Sequence, residues 1–141
     1  MARPDLAPLA VEPTNDAAPP AAVAGGAYLD GWRARRLREQ AVDAAWRHDR
    51  RAEAERAAEA LALLPGVRRV VLFGSLARDE ATRASDVDLC VEGLGEEQWL
   101  DAIAAARRCI AHAEVDLVRA EAASPSLLAR VAAEGLVLRG R

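Results

Sequence analysis

Val70-Val71-Leu72-Phe73-Gly74-Ser75-Leu76-Ala77-Arg78-Asp79-Glu80-Ala81-Thr82-Arg83-Ala84-Ser85-Asp86-Val87-Asp88-Leu89 joins two apolar runs through a short polar connection. The first run ends in Gly-Ser, and the second opens with two aspartates spaced i, i+2. Residues two apart on extended chain point to the same side, so Asp86 and Asp88 lie next to each other. Adjacent carboxylates repel, and the pair costs free energy unless a cation sits between them or one is protonated. A divalent metal is the usual reason for such a pair. Gly-Ser just upstream suits the phosphates that such a metal bridges.

Outward from this stretch, the chain alternates helix and strand. Val67–Phe73 reads as a strand, Ser75 to about Glu80 as a turn or short helix, and Val87–Glu92 as a second strand. A helix follows from about Glu96 to Cys109, and Val115–Val118 is a third strand. Ser124-Pro125-Ser126 offers a helix N-cap with proline in the first turn, and Gly135 ends that helix. Leu136–Leu138 is a short last strand. The pattern predicts an α/β (α+β) fold, a small mixed sheet of about four strands with helices packed mainly on one face.

The preceding residues differ in character. Residues 1–26 hold five of the seven prolines among alanines, a composition that buries too little apolar surface to offset ordering entropy and reads as a flexible tail. Residues 27–65 are rich in Ala, Arg, Glu and Leu and predict a long helical extension stopped by Pro65-Gly66. Its arginines alternate with acids at helical spacing, the mark of a solvated face with local ion pairs, or of a docking or homo-oligomer surface. Residues 66–141 then form the α/β domain.

Bulk properties narrow the classes. A chain of 141 residues suits a single core without disulfides. The net charge of −3 argues against nucleic acid held by bulk electrostatics. All 19 basic residues are arginine, so no Walker-type lysine exists for a triphosphate. Cys90 and Cys109 lack the spacing of a disulfide scaffold or zinc site. No apolar run nears the ~20 residues that span a membrane, and no signal-type apolar segment opens the chain, so the expected location is cytoplasmic.

The third strand completes the chemical pattern. Asp116 stands mid-strand between Val115 and Leu117, on the alternation that also puts Glu114 and Val118 outward. If this strand neighbours the second, Asp86, Asp88 and Asp116 converge on one open face. Hard oxygen donors with room for water suit Mg²⁺ or Mn²⁺. Two such ions serve an in-line displacement at phosphorus. Gly74 allows close backbone approach to a phosphate, Ser75 offers a hydroxyl and N–H groups, and Arg78 lies one turn further on. Each piece alone has an ordinary structural reading, but the combination at this spacing does not.

Together, Phe73-Gly74-Ser75-Leu76-Ala77-Arg78, the ten residues between Ser75 and Asp86, Asp86-Val87-Asp88-Leu89 and Val115-Asp116-Leu117 resemble the minimal nucleotidyltransferase (MNT) family of the polymerase-β-like superfamily. The resemblance covers roughly Val67 to Val118 and implies the polymerase-β-like nucleotidyltransferase fold. It implies that Gly74 and Ser75 hold the β,γ-phosphates of ATP and that Asp86 and Asp88 bind both metals. Asp116 would bind the catalytic metal and help deprotonate the acceptor hydroxyl. The reaction implied is transfer of AMP with release of pyrophosphate. Asp79 departs from the family pattern, which usually has glycine there; an acid beside a triphosphate weakens nucleotide binding unless it points away. Family members of this size resemble antitoxins paired with HEPN-domain toxins, whose tyrosine hydroxyl accepts the AMP. The alternatives are a small-molecule, aminoglycoside-like acceptor, or an antitoxin acting by binding alone.

Overall fold

The computed structural model describes residues 26–140, so the Pro/Ala-rich segment lies outside the described residues except for Gly26. Helix α1 spans Gly26–Ala62. Strand β1 (Arg69–Phe73) and strand β2 (Val87–Glu92) follow, then helix α2 (Trp99–Cys109), strand β3 (Val115–Arg119), helix α3 (Pro125–Glu134) and strand β4 (Leu136–Arg139). The sheet order is β3-β2-β1-β4, with β1 antiparallel to β2 and β4, and β2 parallel to β3. The mixed four-strand sheet matches the expectation from alternating apolar runs. Antiparallel β1 and β2 need only the short connection through residues 74–86, whereas parallel β2 and β3 require a crossover, which α2 supplies.

One face of the sheet carries the main core. Val70 and Leu72 of β1, Val87, Leu89 and Val91 of β2 and Leu117 of β3 meet Ala54, Ala57, Ala58 and Leu61 of α1. The α1 positions recur at i, i+3, i+4 and i+7, a single helical stripe. Three of the four are alanines, so Leu61 is the one large side chain of this stripe. Ala102 and Ile103 of α2 pack into the same cluster. The opposite face carries Val71, Phe73 and Cys90, covered by Val131 and Leu127 of α3. Helices thus lie mainly on one face, as predicted, with the ten-residue α3 on the other. Its start is capped as the sequence indicates: Ser124 Oγ accepts from the Leu127 N–H at 3.2 Å, with proline in the first turn.

The charge pattern of α1 is solvated only in part. Arg50 and Glu53 are buried, with Arg50 Nε 2.7 Å from Glu53 Oε1, and the Trp46 ring lies 5.4 Å from the Arg50 guanidinium carbon. A buried charge is tolerable only when paired, and these two pair one turn apart. His112 Nδ1 lies 3.3 Å from the other Glu53 oxygen and ties α1 to the connection before β3. The compact unit that holds the sheet begins at Val42 and takes in the second half of α1; the described residues before Val42 belong to a separate unit. Among the described residues, no helix is long and apolar enough to cross a membrane.

Candidate active site

Asp88 and Asp116 are register partners across the parallel β2–β3 pair, so their side chains share one face of the sheet. Asp88 also faces Phe73 across β1–β2, which places it beside the end of β1. Asp86 stands one residue before β2 and is exposed, whereas Asp88 is half-buried. The Val87 N–H donates to Glu114 O at 2.8 Å, holding the entries to β2 and β3 together. The structure thus brings Asp88 and Asp116 together by strand register, while Asp86 stands exposed just before β2.

The three carboxylates share one electrostatic field. Burial of the Asp88 carboxyl, with Asp116 and then Asp86 nearby, raises its pKa to about 6; Arg130 opposes the rise and Glu134 adds to it. Among the described residues, no three acidic, histidine or cysteine side chains stand grouped so as to hold a metal ion, so the expected convergence of Asp86, Asp88 and Asp116 is met only by the Asp88–Asp116 pair. The donor set nevertheless fits a hard divalent cation: oxygen only, open to water, and carrying mutual repulsion that a cation relieves.

Gly74 adopts φ +78°, and a Cβ there would overlap the Asp88 carboxylate. The sequence assigned Gly74 a close approach to phosphate; the structure adds a close approach to Asp88. The chain then turns through residues 75–79, with Arg78 N–H donating to Gly74 O at 3.1 Å and Glu80 N–H to Ser75 O at 2.9 Å. Ser75 is half-exposed at the start of this turn. Arg78 is exposed at its end and donates to Glu134 Oε2 at 2.7 Å and Glu80 Oε1 at 3.1 Å.

Glu134, in the last turn of α3, was not singled out from the sequence. Its Oε1 accepts from the Gly74 N–H at 3.2 Å and its Oε2 from Arg78, while Arg130 lies 3.4 Å away. Chiefly the Arg78 hydrogen bond holds its carboxyl below the usual range. Two donors assigned to phosphate thus already converge on an anion. One signal was available: an acid at a helix C-terminus opposes the macrodipole and calls for a tertiary partner.

Asp79 also takes an unusual backbone conformation, φ +64°, which non-glycine residues seldom adopt. Glycine adopts this conformation without strain, so the geometry is compatible with the glycine that the resemblance leads one to expect here. The Asp79 carboxylate lies 3.2 Å from Arg47 Nε and 3.8 Å from Arg51 Nη2, both on α1. The acid is therefore engaged by two guanidinium groups.

A family profile described as "Polymerase beta, Nucleotidyltransferase" matches residues 55–141. No curated protein matches the chain. Among solved structures, a toxin-antitoxin complex with AMP-PNP is similar at 26% identity and a TM-score of 0.54, over 62% of this chain and 73% of that one. A mutant MntA-HpeT toxin-antitoxin structure is similar at 25% identity and TM-score 0.49, over 55% and 64%. A tri-AMPylated Shewanella oneidensis HEPN toxin in complex with MNT antitoxin is similar at 25% identity and TM-score 0.43, over 55% and 60%.

Proposed function

The chain belongs to the polymerase-β nucleotidyltransferase family, and on that premise we propose that it transfers AMP from ATP to a tyrosine hydroxyl of a HEPN-type toxin and so acts as its antitoxin. The observation that carries the reading is the pairing of Asp88 with Asp116 across β2–β3, beside the Gly74 turn. The similar toxin-antitoxin complex with AMP-PNP supports an adenosine triphosphate as donor.

In this reading Asp86, Asp88 and Asp116 hold divalent magnesium or manganese. When bound, the metal neutralises the triphosphate and lowers the cost of ionising the acceptor hydroxyl. The chain's own groups do the rest. Gly74, once its N–H leaves Glu134 Oε1, and Ser75 present backbone N–H groups and a hydroxyl to the β- and γ-phosphates. Arg78 neutralises phosphate charge and exchanges its Glu134 contact for the nucleotide. Asp116 takes up the proton of the acceptor hydroxyl as its oxygen bonds to the α-phosphorus. The α–β phosphoanhydride bond breaks in line, and pyrophosphate leaves with the bonding electron pair.

The test is incubation of the purified chain with α-labelled ATP, Mg²⁺ and a HEPN-type toxin encoded beside it, followed by mass spectrometry. The expected result is an added AMP on a toxin tyrosine, lost with Asp86→Asn/Asp88→Asn. Neutralisation of the toxin in cells by that double variant would show that binding alone suffices.

A further inference from the structure

Arg47 and Arg51 stand four residues apart on α1, so they share one helical face. Both reach the segment that follows Gly74-Ser75. Arg51 Nη2 donates to Leu76 O at 2.9 Å and to Ala77 O at 3.4 Å, and Arg51 Nε to Leu76 O at 3.3 Å. Arg47 Nη1 donates to Ala81 O at 2.9 Å. The Asp79 carboxylate between these carbonyls faces both guanidinium groups. Three carbonyls and one carboxylate in six residues are thus bound from one helix. Arg47 and Arg51 also lie before residue 55, where the family match begins.

This much charge-assisted bonding to one turn, whose Leu76 and Ala81 are also buried in the core, has a chemical use. A loop that cradles a triphosphate with backbone N–H groups must fix several dihedrals, and ordering them on binding opposes affinity. A turn already fixed binds the same phosphates without that opposition. Asp79 fits the same device, because its left-handed backbone gives no benefit of its own, while its carboxylate gives both arginines an anionic partner.

We propose that Arg47 and Arg51 are positioning residues for nucleotide binding, acting through the 74–81 turn with Asp79 as their anionic anchor. The proposal rests on the nucleotidyltransferase reading of the same site. The arginines touch none of Asp86, Asp88 or Asp116 in the contacts above, so their loss acts on nucleotide affinity and leaves the chemical step alone.

The experiment compares the full chain with Arg47→Gln/Arg51→Gln and with Asp79→Asn. Asparagine tolerates the left-handed backbone, so Asp79→Asn removes the ion pairs without disturbing the turn. Three measurements are made: KM for MgATP and kcat in transfer, Kd for ATP by titration, and amide hydrogen exchange of the nucleotide-free chain. The expected result for the double variant is a KM and Kd raised about tenfold or more with kcat within about twofold. Asp79→Asn gives a smaller rise of the same kind. Exchange quickens at the amides of Arg78, Asp79 and Glu80 while those of β1 and β2 stay protected. If the double variant does not fold, Asp79→Asn alone decides by the same readouts.

Unchanged KM and Kd, or a fall in kcat at unchanged KM, would overturn the proposal. If the unaltered chain transfers nothing to any acceptor, the transfer reading fails. The Kd and exchange measurements then still decide whether the clamp orders a nucleotide site.

Discussion

At the scale of single residues, Asp88 carries the sharpest conflict between stability and function. Its carboxyl is half-buried and faces Asp116, and its pKa is pushed up to about 6. The folded chain therefore holds this proton more tightly than the unfolded chain does. The stability linked to it is fully present below the ordinary carboxylate range and is lost as pH rises towards 6. Asp88→Asn removes the charge and keeps the shape. In EDTA at pH 7.5 the variant should melt at a higher temperature than the unaltered chain, and the gain should vanish near pH 4. If Asp88 holds metal as proposed, the same variant should lose transfer by at least about a hundredfold, since even the outer partners of metal ligands cost up to that much. Calorimetry across pH beside the transfer assay checks both halves. A lower melting temperature for Asp88→Asn at pH 7.5 would mean that the carboxylate contributes more through hydrogen bonds than it loses through repulsion.

At the scale of elements, α1 does the work of a core helix and of a support for the 74–81 turn. Leu61 is fully buried against the sheet at the end of the Ala54, Ala57, Ala58 stripe. Leu61→Ala leaves a cavity that the surrounding alanines cannot fill, so it should cost about 2–5 kcal/mol, read by urea denaturation. The sequence made the elements legible because local signals agree there. Alternating apolar residues marked the strands, Ser124-Pro125 marked the start of α3, and Pro65-Gly66 lay just beyond the end of α1. The neighbouring of Asp88 and Asp116 followed only conditionally, because strand order is a property of the sheet and not of either strand. The arginine clamp was not legible at all, and Glu134 only as an acid at a helix C-terminus that calls for some partner. Their partners lie across the fold, Glu134 to Gly74 and Arg51 to Leu76, and an alternating charged helix reads the same whether its arginines face water or a carbonyl. The burial of Arg50 and Glu53 escaped the sequence for the same reason.

At the scale of the whole molecule, the question is how much of α1 the catalytic unit needs. The family match begins at residue 55, yet the compact unit begins at Val42. The difference holds Arg47, Arg51, the Arg50–Glu53 pair and Ala54, all engaged with the rest of that unit. A chain started at Val42 keeps every one of these contacts and should melt within a few degrees of the full chain. A chain started at residue 66 loses the four core residues of α1 and exposes the strand face beneath them. Buried aliphatic side chains contribute roughly 1.5–3 kcal/mol each for the larger ones, and whole domains are stable by only about 5–15 kcal/mol. Losing Leu61 and three alanines, and uncovering Val70, Leu72 and Leu89, therefore removes most or all of the margin, and this chain should be unfolded by circular dichroism. A start at residue 55 separates the two roles of α1. It retains Ala57, Ala58 and Leu61 but neither arginine, so it should keep partial stability while binding ATP more weakly than the Val42 chain. Equal ATP affinity in those two truncations would leave α1 as core packing alone.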